Sequence, residues 1–203
     1  MTHDFHPTML REYDIRGVVG DTLSDKDAYA IGRSFATLIR RAGGRRIAVG
    51  YDGRLSSPML TEALVAGINA AGVDALNVGL GPTPMLYYAA STENVDGGIQ
   101  ITGSHNPPDY NGFKMVFQGR PFFGADIQRI GELAAAGDWE TGEGAAESID
   151  IVDAYVDRLV EGFAGVAVHQ RLQGGEGLGD GFSHSGGVLD GLGATFDFPG
   201  HVV

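Results

Sequence analysis

Hydrophobic positions in the first 140 residues alternate between two kinds of pattern. From Ser24 to Arg41 they recur every three or four residues, which predicts an amphipathic helix with a serine cap and basic residues in its last turn. The apolar run from Arg46 to Tyr51 is typical of a buried strand. A second helix is predicted from Ser57 to about residue 71, and a second strand from Val73 to Val78.

Strands that alternate with helices over short connections predict an α/β fold. We expect a three-layer α/β/α sandwich with a mixed, mostly parallel sheet. The loop between the strand at 98–102 and the strand at 113–117 is too short for a parallel crossover, so this pair should be antiparallel. Such sheets bind ligands beyond the carboxyl ends of their strands, and the segments at 51–52, 79–80 and 103–104 should lie at that edge.

Changes in composition divide the chain into three parts. Residues 1–140 form the predicted α/β/α domain. Residues 141–165 contain the end of a polar linker and the first helix of a truncated second domain. Residues 166–203 are an atypical, glycine-rich tail with no lysine and no sustained period. We expect the helix to expose its hydrophobic face and to favour self-association through it. That face comprises Val152, Tyr155, Val156, Leu159 and Phe163.

Composition and charge exclude several classes of function. The formal net charge is −12, which argues against non-specific binding to nucleic acid or to an anionic membrane. There are no cysteines, so disulfides and thiolate chemistry are excluded. The N-terminus lacks the pattern of a signal peptide, and no apolar run approaches the roughly 18 residues of a membrane helix. We therefore expect a cytoplasmic protein.

Ser104 is the candidate for covalent chemistry. It follows an apolar strand and begins a loop rich in Asn, Pro, Asp and Gly, which is typical of a constrained turn. A serine hydroxyl is a weak nucleophile unless it is activated. The adjacent His105 is a poor hydrolase partner, and no G-x-S-x-G elbow is present, so an esterase is disfavoured. Taken alone, Ser104 is compatible with a simple turn residue.

Three strings in order resemble one family. They are REYDIRG at 11–17, YDGRLSSP at 51–58 and TGSHNPPDYNGFK at 102–114. The third closely resembles the active-site serine loop of the phosphohexomutases, the phosphomannomutase/phosphoglucomutase branch of the α-D-phosphohexomutases. The resemblance covers about residues 9–165. Its TGSHNP segment resembles the mannose/glucose branch more than the glucosamine branch.

The resemblance implies an isomerase that acts as an intramolecular phosphotransferase in carbohydrate metabolism. A phosphoserine would convert a hexose 6-phosphate into a hexose 1-phosphate through a hexose 1,6-bisphosphate, with Mg²⁺ as cofactor and a phosphosugar as partner. Transfer of this kind needs mainly positioning and charge neutralisation. The implied catalytic residues are Ser104, His105, Lys114 and Arg16. The implied phosphate- and substrate-binding residues are Tyr13, Arg16, Asn106 and Lys114. Asp52 and Arg54 would partly support the cleft.

Two of these residues have simpler interpretations. Arg16 taken alone would best be a surface arginine paired with Asp14. Lys114 would be a solvated lysine, yet it alternates with Phe113 and Met115 and should face away from both.

The sequence departs from the family in the residues that bind the metal. The family holds Mg²⁺ between the phosphoserine and the aspartates of a DGDGDR-type motif, and no such string occurs in this chain. Ser104, through its phosphate, is the only implied metal ligand. We therefore expect an incomplete, inactive fragment. The alternative is a non-catalytic remnant that binds phosphate or a protein partner.

We hypothesise that the glycine-rich tail reflects a shifted reading frame or a misplaced gene end, because the helical and strand patterns stop after Gly165. The nucleotide sequence tests this. A DGDGDR-type motif in another frame beyond codon 165 is the expected result, and its absence from both other frames would contradict the hypothesis.

Overall fold

A computed structural model of the chain describes residues 2–163. In this part the strands are β1 (Ile15–Val18), β2 (Arg46–Tyr51), β3 (Asp74–Leu80), β4 (Gly97–Ile101), β5 (Tyr110–Phe117), β6 (Arg120–Pro121) and β7 (Ala146–Ser148). The helices are α1 (Asp25–Arg41), α2 (Ser57–Ala70), α3 (Thr83–Thr92), α4 (Ala125–Ala136) and α5 (Val152–Phe163). No helix in the described range is long and apolar enough to cross a membrane.

The strands form one mixed sheet in the order β1-β5-β4-β2-β3-β7, with β6 paired to β5. Strands β4, β2, β3 and β7 run parallel, whereas β5 is antiparallel to β4, β1 and β6. The α/β class and the mixed sheet are confirmed. The antiparallel β4–β5 pair is confirmed too. A parallel pair would require the chain to return to the amino end of β4, and the eight-residue loop at 102–109 is too short for that.

Helices cover both faces of the sheet, and β2 shows how the sequence assigns them. Ile47 and Val49 point into the larger core, which α1, α2 and α4 cover. Ala48, between them, points into a smaller core on the opposite face. That core contains Met85 and Leu86 of α3. The alternation within a strand buried on both sides therefore produces the three layers.

Residues 138–148, which include the predicted polar linker, are bound to helix α1 and to the edge of the sheet. The Arg41 guanidinium donates to Asp138 and Glu140, and these hydrogen bonds raise the pKa of Arg41 above its ordinary value. The Trp139 indole donates to the Ser34 hydroxyl at 2.8 Å. Strand β7 then adds an edge to the sheet beside β3. The sequence did not predict this strand because all three of its residues are exposed.

The first compact unit extends through Tyr155, and a second begins at Val156. In α5 the side chains of Val152, Val156, Leu159, Val160 and Phe163 are exposed. Contrary to the prediction, Tyr155 is partly buried against the smaller core, with its ring 5.9 Å from that of Tyr88. Self-association through this face and the division at residue 140 stay predictions. The predicted tail at 166–203 lies outside the described residues.

Helices α1 and α2 touch at two glycines. A Cβ on Gly32 would lie 2.2 Å from the carbonyl oxygen of Leu64, and one on Gly67 would lie 2.1 Å from that of Tyr29. We predict that Gly67→Ala lowers the free energy of unfolding by about 1–3 kcal/mol, because the added methyl forces two backbones apart. Urea unfolding measures the change.

The matched control for this substitution is Gly131→Ala in α4. The nearest atom to a Cβ there is the terminal methyl of Leu10, which can move aside. Its expected effect stays within about 1 kcal/mol, as for an ordinary helical glycine. Equal destabilisation by both substitutions would contradict the close α1–α2 contact.

Candidate active site

The loops after β4, β2 and β3 meet at the carboxyl edge of the sheet. The backbone N–H of Asp52 donates to the carbonyl of Ile101 at 2.9 Å, and that of Gly81 donates to the carbonyl of Tyr51 at 2.9 Å. The predicted meeting of these three strand ends is confirmed. An open cleft of about 490 Å³ lies beside the first two loops. Its lining residues are Asp52, Gly53, Arg54, Leu55, Asn106 and Pro108.

Ser104 is exposed at the start of the loop that follows β4. Its φ of 52° lies in the left-handed region, which L-residues other than Asn and Asp rarely adopt. Its backbone N–H donates to the Thr102 hydroxyl at 2.9 Å. The His105 Nδ1 lies 3.5 Å from the Ser104 Oγ, at the limit of a hydrogen bond. Asn106 closes the turn, since its backbone and side-chain N–H groups both donate to the Gly103 carbonyl.

Asp52 connects the loop after β2 to the serine loop. It accepts from the Ser57 hydroxyl at 2.7 Å and from the backbone N–H of Gly103 at 3.1 Å. Burial opposes its ionisation, but hydrogen bonds from Ser57, Arg54, Thr102 and Gly103 outweigh burial and hold the pKa of Asp52 below its ordinary value. Because the folded-state pKa is lowered, the stabilisation is present at neutral pH and is lost as the pH falls through that pKa.

A second group of charges lies where β1 meets β5. The buried carboxylate of Asp14 accepts from the Arg16 Nη2 at 2.5 Å, and the Lys114 Nζ lies 3.5 Å from the same oxygen. Phe113 and Met115 are buried on the opposite face, as the alternation predicts for Lys114. Arg16 does pair with Asp14, but the two side chains are only 14% and 10% exposed, so the pair is not a surface one.

The serine loop and the group of Asp14, Arg16 and Lys114 are connected through Gly112 of β5. Arg16 is opposite Gly112 in the β1–β5 ladder, and the Gly112 carbonyl accepts from the Thr102 N–H at 2.9 Å. Within residues 2–163, no hydrogen bond joins Ser104 to Arg16 or Lys114. Tyr13 is 74% exposed, and its ring lies 6.4 Å from that of Phe123.

Two residues of this arrangement have roles that were not predicted from the sequence. Thr102 is one, although a Thr two residues before a turn serine is a typical acceptor for that serine's N–H. Asp14 is the other, because a surface position was expected for it. Its burial depends on the pairing of β1 with β5, which lie about 100 residues apart in the sequence, and no local signal indicates it.

A resident metal ion does not fit the described residues. Between residues 2 and 163, no group of three or more His, Cys, Asp or Glu side chains could hold one. Mg²⁺ in such sites is usually held by one or two carboxylates together with phosphate oxygens and water, and Ser104 would supply only phosphate oxygens. The aspartate ligands that the resemblance implies are not provided in this range.

Residues 7–141 match the family model for phosphoglucomutase/phosphomannomutase, alpha/beta/alpha domain I. The phosphomannomutase/phosphoglucomutase of Pseudomonas aeruginosa is 43% identical over 157 residues, which cover 77% of this chain and 34% of that protein. The phosphoglucomutase of Neisseria gonorrhoeae is 42% identical over 189 residues, which cover 91% of this chain and 40% of that protein. The second match enters residues 166–203 and weighs against an abrupt end of similarity at residue 165.

A solved structure has the same fold. A phosphoglucomutase/phosphomannomutase family protein from Burkholderia thailandensis superimposes with a TM-score of 0.76 at 45% identity, covering 77% of this chain and 36% of that one. The chain therefore spans between a third and two fifths of the length of these relatives.

We predict that Asp14→Asn lowers the free energy of unfolding by about 1–3 kcal/mol, because it leaves Arg16 and Lys114 side by side without their shared anion. Urea unfolding at neutral pH measures the change. Asp138→Asn is the matched control, since Asp138 pairs with Arg41 in solvent at the surface and should leave the midpoint unchanged. An unchanged midpoint for Asp14→Asn would show that its carboxylate is not structurally required.

Proposed function

The chain belongs to the phosphoglucomutase/phosphomannomutase family, and we propose that it is the phosphoserine-bearing domain of a mutase that interconverts hexose 6-phosphate and hexose 1-phosphate. The observation that carries the proposal is the exposed, left-handed Ser104 on a loop held by many hydrogen bonds. A nucleophile that exchanges a bulky dianion needs both access and a fixed position.

In the proposed reaction, Ser104 carries the phosphoryl group. The P–O bond to the Ser104 oxygen breaks while a P–O bond forms to the free hydroxyl of a hexose monophosphate. The proton of that hydroxyl passes through Lys114 to the departing Ser104 oxygen. The hexose 1,6-bisphosphate then turns over, and the P–O bond to its other sugar oxygen breaks as a P–O bond to Ser104 forms again. The Ser104 proton passes to the departing sugar oxygen, which releases the isomer. The phosphorylated serine carries about −1.5 to −2 charges at neutral pH, so it requires cations nearby.

The other residues that the resemblance implies have proposed roles in binding and in orienting the phosphoserine. Arg16 would hold phosphate oxygens with the N–H donors that Asp14 leaves free. His105 would orient the phosphoserine from its position 3.5 Å from Oγ. Asn106 and the exposed Tyr13 would contact the phosphosugar. The TGSHNP segment favours glucose or mannose phosphates as substrates.

We further propose that the chain by itself is an incomplete mutase. The phosphoryl charge would need Mg²⁺, and the described residues do not provide its ligands. The same observation favours the second candidate function, a non-catalytic domain that binds phosphate or a protein partner. Phosphorylation of Ser104 distinguishes the two, because a non-catalytic domain has no use for a covalent phosphoserine.

We predict slow transfer of radiolabelled phosphate from glucose 1,6-bisphosphate to the 203-residue chain in the presence of Mg²⁺. Ser104→Ala should abolish the label, and Ser91→Ala, which removes an exposed serine of α3, should not. Peptide mapping should place the label on Ser104.

A coupled assay with glucose 1-phosphate then measures turnover, which should not exceed that of Ser104→Ala. Absence of label from the unaltered chain would support the non-catalytic candidate. Turnover that depends on Ser104 would contradict the incomplete-mutase proposal.

A further inference from the structure

The side chain of Arg54 uses every donor it has within the serine loop and its support. A guanidinium has five N–H groups. The Nε donates to Asp52 at 3.2 Å. The two Nη1 bonds reach the carbonyls of Pro107 at 2.6 Å and Tyr110 at 3.0 Å. The two Nη2 bonds reach those of Asn106 at 2.8 Å and Ser104 at 3.0 Å. No N–H is left over for a phosphate.

Arg54 itself is fixed from the side of β2. Asp52 accepts both the Nε and the backbone N–H of Arg54, and its other hydrogen bonds tie it to Ser57 and Gly103. The side chains of Arg54 and Asp52 are only 15% and 22% exposed. A partly buried, charge-assisted pair of this kind loses little side-chain entropy on further hydrogen bonding.

The guanidinium occupies the space beside Gly103. A Cβ at this position would lie 2.1 Å from the Arg54 Cζ, so the loop passes against the planar group with no room between them. The next residue, Ser104, has the unfavourable left-handed backbone, and its carbonyl is one of the four that Arg54 holds. Strain of this kind persists only when surrounding contacts determine it.

We propose that Arg54 is a positioning residue that fixes the backbone of Ser104 for phosphoryl transfer and makes no contact with the phosphosugar. The catalytic effect of Arg54 rests on the proposed function, whereas its effect on the conformation of the loop does not. Arg16 provides the contrast, because in residues 2–163 only Asp14 accepts from its guanidinium, so its other N–H groups are not used by the described protein. Arg54 therefore positions the nucleophile, whereas Arg16 is the proposed phosphate ligand.

The test compares Arg54→Ala and Arg54→Lys with Arg40→Ala. Arg40 is the matched control because it also donates to two backbone carbonyls, but those of Ala71 and Thr141, which belong neither to the serine loop nor to its support. Arg54→Lys keeps the charge and the apolar stem, which guards against loss of the fold, but cannot supply five planar donors. Circular dichroism confirms that each variant is folded.

The first readout is amide hydrogen exchange in the peptide that spans residues 103–111. Both Arg54 variants should increase exchange there by about tenfold or more through the loss of several hydrogen bonds. Exchange in β2 and β3 should stay unchanged, and Arg40→Ala should alter residues 138–142 instead. Unchanged exchange of the serine loop in both Arg54 variants would overturn the proposal.

The second readout is the labelling of Ser104 by glucose 1,6-bisphosphate at several concentrations. The maximal rate should fall by about a hundredfold in Arg54→Ala, the expected effect of a displaced nucleophile, while half-saturation changes little. Added methylguanidinium should partly restore the rate. A loss expressed mainly in half-saturation would instead make Arg54 a phosphate ligand and overturn the proposal. If the unaltered chain takes no label, the proposed function fails and the exchange result alone decides the positioning role.

Discussion

The hydrogen-bonded pair of Asp52 and Arg54 is the interaction on which the serine loop depends. The sheet order places β2 directly beside β4, so the loop that follows β2 lies under the loop that follows β4. From that position one carboxylate and one guanidinium hold the Gly103 N–H and four loop carbonyls. The left-handed backbone of Ser104 is thus supported by the loop that follows the neighbouring strand as well as by hydrogen bonds within its own loop.

This acidic protein has a small positively charged group where β1 meets β5. The whole chain carries a formal charge of −12, yet Arg16 and Lys114 share a single buried carboxylate at the edge of β1 and β5. Asp14 offsets the mutual repulsion of these two cations. Two cations with one carboxylate leave a net positive charge, which a phosphate group would neutralise. Net charge therefore argues against polyanions as general partners but not against a single phosphorylated ligand.

Local pattern predicted most of the layers but little of the detail at the site. Amphipathic periodicity indicated α1 and the strand that follows it, and loop length alone indicated the antiparallel β4–β5 pair. Strand β1 has four residues and β7 has three, too few for a period, so both depend on long-range pairing. The burial of Asp14 follows from β1 and was missed for the same reason. The hydrogen bonding of all five Arg54 donors likewise arises only in the folded loop, and the YDGRLSSP string does not indicate it.

The most direct measurement is the nitrogen NMR spectrum of the Arg54 guanidinium at low temperature. With all five N–H groups bonded, Arg54 should show separate, slowly exchanging Nη resonances, with couplings across the hydrogen bonds to the Ser104 and Asn106 carbonyl carbons. Arg129, exposed on α4, should show averaged and rapidly exchanging resonances and serves as the internal reference. Averaged Arg54 resonances like those of Arg129 would contradict the claim that this side chain holds the serine loop.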